Sequence, residues 1–222
     1  MLHARERHLK RRSLLAVALG AVALPARAQR ADPASDAPES AYSGSHRAPA
    51  AASYAEALQR WRGVDDINAF IGERFAYDRD RALQLSESQR AQQPGPAILA
   101  PEAFFEQPRG VCVDLARFGV ETLQQIAPAL QPRYLMIEFD PVQISGQTLR
   151  RHWLVQWRDG DRFGFFADSK RPGHIAGPFA STQAFIDDYA AWRGRRIVAF
   201  RELASYQRQR KALATKQLRS GP

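Results

Sequence analysis

Arg151-His152-Trp153-Leu154-Val155-Gln156-Trp157-Arg158-Asp159-Gly160-Asp161-Arg162-Phe163-Gly164-Phe165-Phe166-Ala167-Asp168 is the stretch that decides how this chain folds. His152 to Trp157 and Phe163 to Asp168 read as two strands, and the Asp-Gly-Asp between them is a hairpin signal. Loop length then sets which side chains meet. With the two residues Asp159-Gly160 as the loop, His152 faces Ala167 and the faces are mixed. A three-residue loop, 159–161, or a five-residue one, sets Trp153, Val155 and Trp157 opposite Ala167, Phe165 and Phe163. That register makes one face apolar and puts His152 opposite Asp168 on the other. The hydrophobic pattern selects it, and opposed Cβ atoms lie about 4.5 to 5.5 Å apart, so an imidazole comes within reach of a carboxylate.

Outward from the hairpin, Tyr134 to Phe139 and Arg196 to Phe200 also read as strands. Ser181 to Trp192 reads as a helix with Ser181 or Thr182 as its cap. Upstream the spacing is helical: Tyr54 to Trp61, then Val64 to Tyr77 with a stripe of Ile67, Phe70, Ile71 and Phe75, broken at Gly63. Pro101 to Phe105 makes a short helix with proline in its first turn. Cys112 to Ile126 makes a longer one that buries Leu115, Phe118, Gly119, Thr122, Leu123 and Ile126. Residues 78–100 are polar and then rich in proline and glycine, so they read as a long surface loop bordering a site. The expected fold class is α+β, with N-terminal helices packed on an antiparallel sheet.

The flanks are of another kind. Arg5, Arg7, Lys10, Arg11 and Arg12 precede an apolar run from Leu14 to Leu24 and the small-x-small site Ala26-Arg27-Ala28. This is the pattern of a signal peptide over 1–28, too short to span a bilayer and so leaving no stable membrane insertion after cleavage. Arg11-Arg12-Ser13-Leu14-Leu15 resembles a twin-arginine signal, and the expected location is periplasmic or secreted. Residues 29–52 are rich in Ala, Pro, Ser and Asp and read as a flexible linker. The domain is expected over 53–210, followed by a basic tail, 211–222. Of the 32 basic and 23 acidic residues, the signal holds 6 and 1, so the mature chain carries 26 against 22, or +4. That mild charge, without interleaved basic and aromatic residues, argues against a nucleic-acid partner.

Cys112 is the only cysteine, in Gly110-Val111-Cys112-Val113-Asp114 at a helix start. An exported chain normally pairs its cysteines, so a single thiol is either a small buried hydrophobe or a reactive group. A helix N-terminus and a neighbouring imidazolium lower a thiol pKa from about 8.5 to roughly 3.5 to 7.5. Cys112 as nucleophile, His152 as base and Asp168 as orienting acid form a candidate triad. The Cys112 amide supplies one oxyanion donor and Gln107 is the candidate for a second. His174 on a loop is a rival base, His46 falls in the linker, and Asp114 reads as a structural partner of the helix dipole. The four tryptophans, Trp61, Trp153, Trp157 and Trp192, read as core.

The order Gly-x-Cys at a helix start, His-Trp on a strand and Asp at the end of the next resembles the transglutaminase-like superfamily of papain-like cysteine enzymes. The likeness covers roughly 60–170, including Ile67-Asn68 to Tyr77, Pro101-Glu102 and Phe104-Phe105. Within it the chain looks most like the bacterial transglutaminase-like cysteine peptidases. The resemblance implies a papain-like core, the triad Cys112, His152 and Asp168, no cofactor, and a protein or peptide substrate in the bacterial envelope. Members that cleave adhesins carry acidic residues beside the nucleophile for calcium, whereas Val111 and Val113 flank Cys112, so no metal is expected. Capture of the same acyl-enzyme by an amine would make the protein a transglutaminase or peptide ligase. A catalytically silent binding module in envelope or exopolysaccharide assembly is the alternative from another class.

Overall fold

The computed structural model describes residues 45–91, 93–144, 147–169 and 171–207. The signal segment, linker residues 29–44 and the tail 211–222 lie outside the described residues. Linker residues 45–52 are extended but attached to the domain. Trp61 Nε1 donates to the Pro49 carbonyl at 3.0 Å, His46 Nε2 lies 2.8 Å from Asp66 Oδ1, and Ala48 and Ala51 pack on the core. The packed domain therefore begins before residue 53.

Ser53 starts α1 (Tyr54–Arg60), its hydroxyl accepting the Glu56 N–H at 3.2 Å. α2 (Val64–Arg74) follows Gly63 and ends earlier than its periodicity suggests, because Ala76 and Tyr77 become β1 (Ala76–Tyr77). α3 (Arg79–Arg90) replaces the first half of the expected surface loop. Asp78 caps it: Oδ1 accepts the Arg81 N–H at 3.0 Å, and the backbone carbonyl accepts the Ala82 N–H at 3.0 Å. Its sequence is nearly all polar, so no apolar stripe marks it as a helix, and only the capping aspartate does. α4 (Pro101–Glu106), β2 (Arg109–Gly110), paired in parallel with β1, and α5 (Cys112–Ile126) complete the helical half.

After a single 3-10 turn at Pro128–Leu130 come β3 (Arg133–Ile144), β4 (Gln147–Asp159), β5 (Arg162–Phe166), β6 (Ala176–Phe179), α6 (Thr182–Arg193) and β7 (Ile197–Leu203). The strands form an antiparallel sheet of order β6-β5-β4-β3-β7. The protein is an α+β domain. β6 was not expected, since Gly177 and Pro178 are strand breakers, and an edge strand is where a sheet tolerates them. Ser181 caps α6 as expected, accepting the Ala184 N–H at 3.1 Å.

The sheet is covered on both sides. Tyr134, Trp153, Val155, Trp157, Phe166 and Ala167 face the helices α1, α2, α4 and α5. Leu135, Ile137, Phe139, Leu154 and Phe165 face Phe185, Ile186 and Tyr189 of α6. Trp61 is buried, and Trp153, Trp157 and Trp192 pack half-buried against these two cores.

The hairpin register differs from the expected one. Val155 pairs with Phe166, Gln156 with Phe165, Trp157 with Gly164 and Asp159 with Arg162, so the loop is the two residues Gly160-Asp161. Gly160 has φ +58°, and a glycine with positive φ at the first of two loop residues is the mark of a type II′ hairpin. Phe163 and Phe165 consequently lie on the face opposite Trp153, Val155 and Trp157. Gly164 is the reason. A Cβ there would sit 2.2 Å from the Trp157 indole, so the ring lies over bare backbone. Apolar pattern matching seeks a large partner for each large residue, whereas this tryptophan needs an empty one. Gly164→Ala is expected to lower stability by about 1 to 3 kcal/mol. Urea unfolding checks this, and an unchanged midpoint would show that the indole does not hold the register.

Candidate functional site

α5 begins where the backbone turns out of β2. Its first helical bond runs from the Leu115 N–H to the Val111 carbonyl at 3.0 Å, so the amides of the first turn point out of the helix end beside Cys112. Cys112 is half-buried at this tip. Two residues on, Asp114 is fully buried and reaches back over the tip. Its carboxylate accepts the Val111 N–H at 3.0 Å, the Leu99 N–H at 2.8 Å, and Arg81 Nε and Nη2 at 2.7 and 2.8 Å. This bidentate pair is the main reason that the Arg81 guanidinium is held above its ordinary pKa. Asp114 thus ties α3 and the 97–99 segment to the N-terminal end of α5, a structural role as its position suggests. Gly110 leaves the space, since a Cβ there would lie 3.0 Å from Asp114 Oδ2.

α5 lies along β4. Gly119 is pressed against the strands: a Cβ on it would meet Val155 Cγ2 at 2.6 Å and Phe166 Cε2 at 3.1 Å. The C-terminal end of α5 leads through the 3-10 turn to Arg133, which pairs with Gln156, so its N-terminal end points toward His152. From Cys112 to Gly119 the helix rises about 10 Å, the length of roughly three strand residues.

His152 and Asp168 come together: Nε2 lies 3.3 Å from Oδ1, with 2 % and 5 % of the two residues exposed. They meet by a different route from the expected one. In the observed register Asp168 would fall opposite Trp153, on the α5 face. β5, however, ends at Phe166, and Ala167 adopts φ +68°, which breaks the alternation and turns Asp168 to the side of His152. That side is the α6 side. The His152 ring stacks at 5° to the Tyr189 ring with centroids 6.1 Å apart. α5 packs on one face of the sheet and the imidazole lies on the other, at a level of β4 where β5 no longer pairs with it.

Gln107 is exposed at the end of α4, where its amide donates to the Ala103 carbonyl, and β2 and Val111 separate it from Cys112. His174 is exposed on the segment after β5, and desolvation followed by the charge of Arg171 pushes its pKa down. Sequence reasoning missed Tyr189, Arg193 and Arg81. An Arg one turn after a Tyr on an apolar helix face was the available signal for the first two.

Among the described residues, no cluster of three or more His, Cys, Asp or Glu side chains is arranged to hold a metal ion. None of their helices is long and apolar enough to cross a membrane. No family model matches the chain, and neither a curated protein nor a solved structure matches it.

Proposed function

We propose that this is a papain-like, transglutaminase-like cysteine peptidase of the bacterial envelope. The observation that carries the reading is the buried His152–Asp168 pair, 3.3 Å apart, with His152 on the strand against which the helix that starts at the chain's single cysteine packs. Nε2 lies 3.3 Å from Asp168 Oδ1 without a hydrogen bond between them, and Nδ1 is the nitrogen assigned to the thiol on this reading. The thiol proton passes to Nδ1 as Sγ attacks an amide carbonyl. The C–N bond breaks, the imidazolium gives its proton to the departing amine, and water assisted by His152 releases the acyl group. The Cys112 amide, at the start of α5, is the oxyanion donor on this reading. Gln107 as a second donor has the weaker support, because it is exposed and the four residues 108–111, which include β2, lie between it and Cys112.

The catalytically silent binding module has one observation in its favour. The His152 ring is packed against α6 with Asp168 beneath it, an arrangement that a buried polar core also uses. Incubation with a bacterial envelope extract separates the two readings. Wild type is expected to generate new peptide termini, or new amide cross-links for the ligase variant, by mass spectrometry, and Cys112→Ser to generate none. Identical product maps would eliminate the enzyme. EGTA is expected to leave the wild-type products unchanged, since valines flank Cys112, and loss of products restored by calcium would overturn that.

A further inference from the structure

α6 contributes two side chains, one helical turn apart, to the pair made by β4 and the segment after β5. Tyr189 OH donates to Asp168 Oδ2 at 2.9 Å. Arg193 Nη1 donates to Tyr189 OH at 3.3 Å and lies 3.8 Å from Asp168 Oδ1. Tyr189 is 3 % exposed and Arg193 1 %, the guanidinium packing over the Phe139, Tyr189 and Trp192 rings. A carboxylate this deeply buried takes up a proton unless donors and a cation hold its charge. Here the hydroxyl occupies one oxygen, while the imidazole and the guanidinium flank the other.

We propose, resting on the cysteine-peptidase reading, that Tyr189 and Arg193 are positioning residues. They hold the Asp168 carboxylate in place, with Oδ1 3.3 Å from His152 Nε2. Their second effect is on the basicity of the ring. Asp168 raises the proton affinity of His152; the Arg193 charge and the hydroxyl on Oδ2 both oppose that rise. The other charged groups around the pair are few. β3 presents Ile137 to His152, and Arg195 stacks over Phe139. Arg171, His174 and Asp188 form a separate electrostatic group that also feels Asp168.

The test is an NMR titration of the ¹⁵N-labelled His152 ring in the Cys112→Ser background, where no coupled thiol titrates. Tyr189→Phe keeps the packing and removes only the donor to Asp168, so it is expected to raise the ring pKa by roughly half a unit to one unit. Arg193→Gln is expected to raise it as well, and Arg193→Lys to restore it. A Tyr189→Phe ring pKa within about 0.2 unit of the parent, with a lowered Tm, would make the contact merely structural and overturn the proposal. If Arg193→Gln does not fold, Tyr189→Phe decides alone. Failure of the peptidase reading looks different: the ring pKa shifts as expected, but alkylation of Cys112 in otherwise wild-type protein is indifferent to His152→Ala.

Discussion

At pH 6, iodoacetamide is expected to alkylate Cys112 about ten times faster than a free thiol, and His152→Ala to remove that advantage. A thiol of pKa about 8.5 is only about 0.3 % ionised at this pH, whereas one lowered to about 6 is half ionised. The gain is roughly 150-fold in thiolate, but intrinsic nucleophilicity falls about tenfold over the same change in pKa, which leaves the net factor. On the proposed reading two physical sources would supply the shift: the amides at the α5 tip and an imidazolium at His152. The helix tip survives His152→Ala and the imidazolium does not. Rates at or below that of free glutathione in the native protein, or complete protection of the thiol, would mean that Cys112 is packing rather than chemistry. The mass of the labelled peptide and the time course by mass spectrometry decide it.

Asp114→Ala is expected to cost about 3 to 5 kcal/mol, the largest stability loss available from one polar side chain near the site. Four donors lose their acceptor at once: two from Arg81, one from Leu99 and one from Val111. Arg81 would be left with a charge at a side chain only 15 % exposed. Asp114→Asn keeps an oxygen for part of this set but no charge for Arg81, so roughly half the loss is expected. Urea unfolding measures both. Hydrogen exchange should locate the damage, with α3 and the 97–99 backbone opening before the sheet. A loss under about 1 kcal/mol for Asp114→Ala would show that α3 is held by its own capping and packing.

α5 was legible in the sequence to the residue, since an amphipathic stripe from Leu115 to Leu123 begins at a break in the pattern and is long enough to be unambiguous. α6 was legible through Ser181. α3 was not, because helicity there depends on the Asp78 cap and on the anchoring of Arg81 by Asp114 rather than on an apolar face. The hairpin was half legible. Both strands were evident, but the register turned on one glycine whose importance is the absence of a side chain beneath Trp157.

The same division runs through the candidate site. Chemistry resides in residue types, so Cys112, His152 and Asp168 could be singled out from the chain alone, together with their order and the places of Cys112 at a helix tip and His152 on a strand, whereas Asp168 lies beyond the end of β5. Period-two patterning also determined that an antiparallel sheet follows the helices, because burial of alternate side chains is a local property. Which side of the sheet Asp168 turns to was decided only by tertiary structure. The positive φ of Ala167 and the docking of α6 set it, bringing Tyr189 and Arg193 onto Asp168 from 21 and 25 residues downstream. Such long-range contacts leave no periodic trace in the sequence, and only packing energy summed over the whole fold selects them.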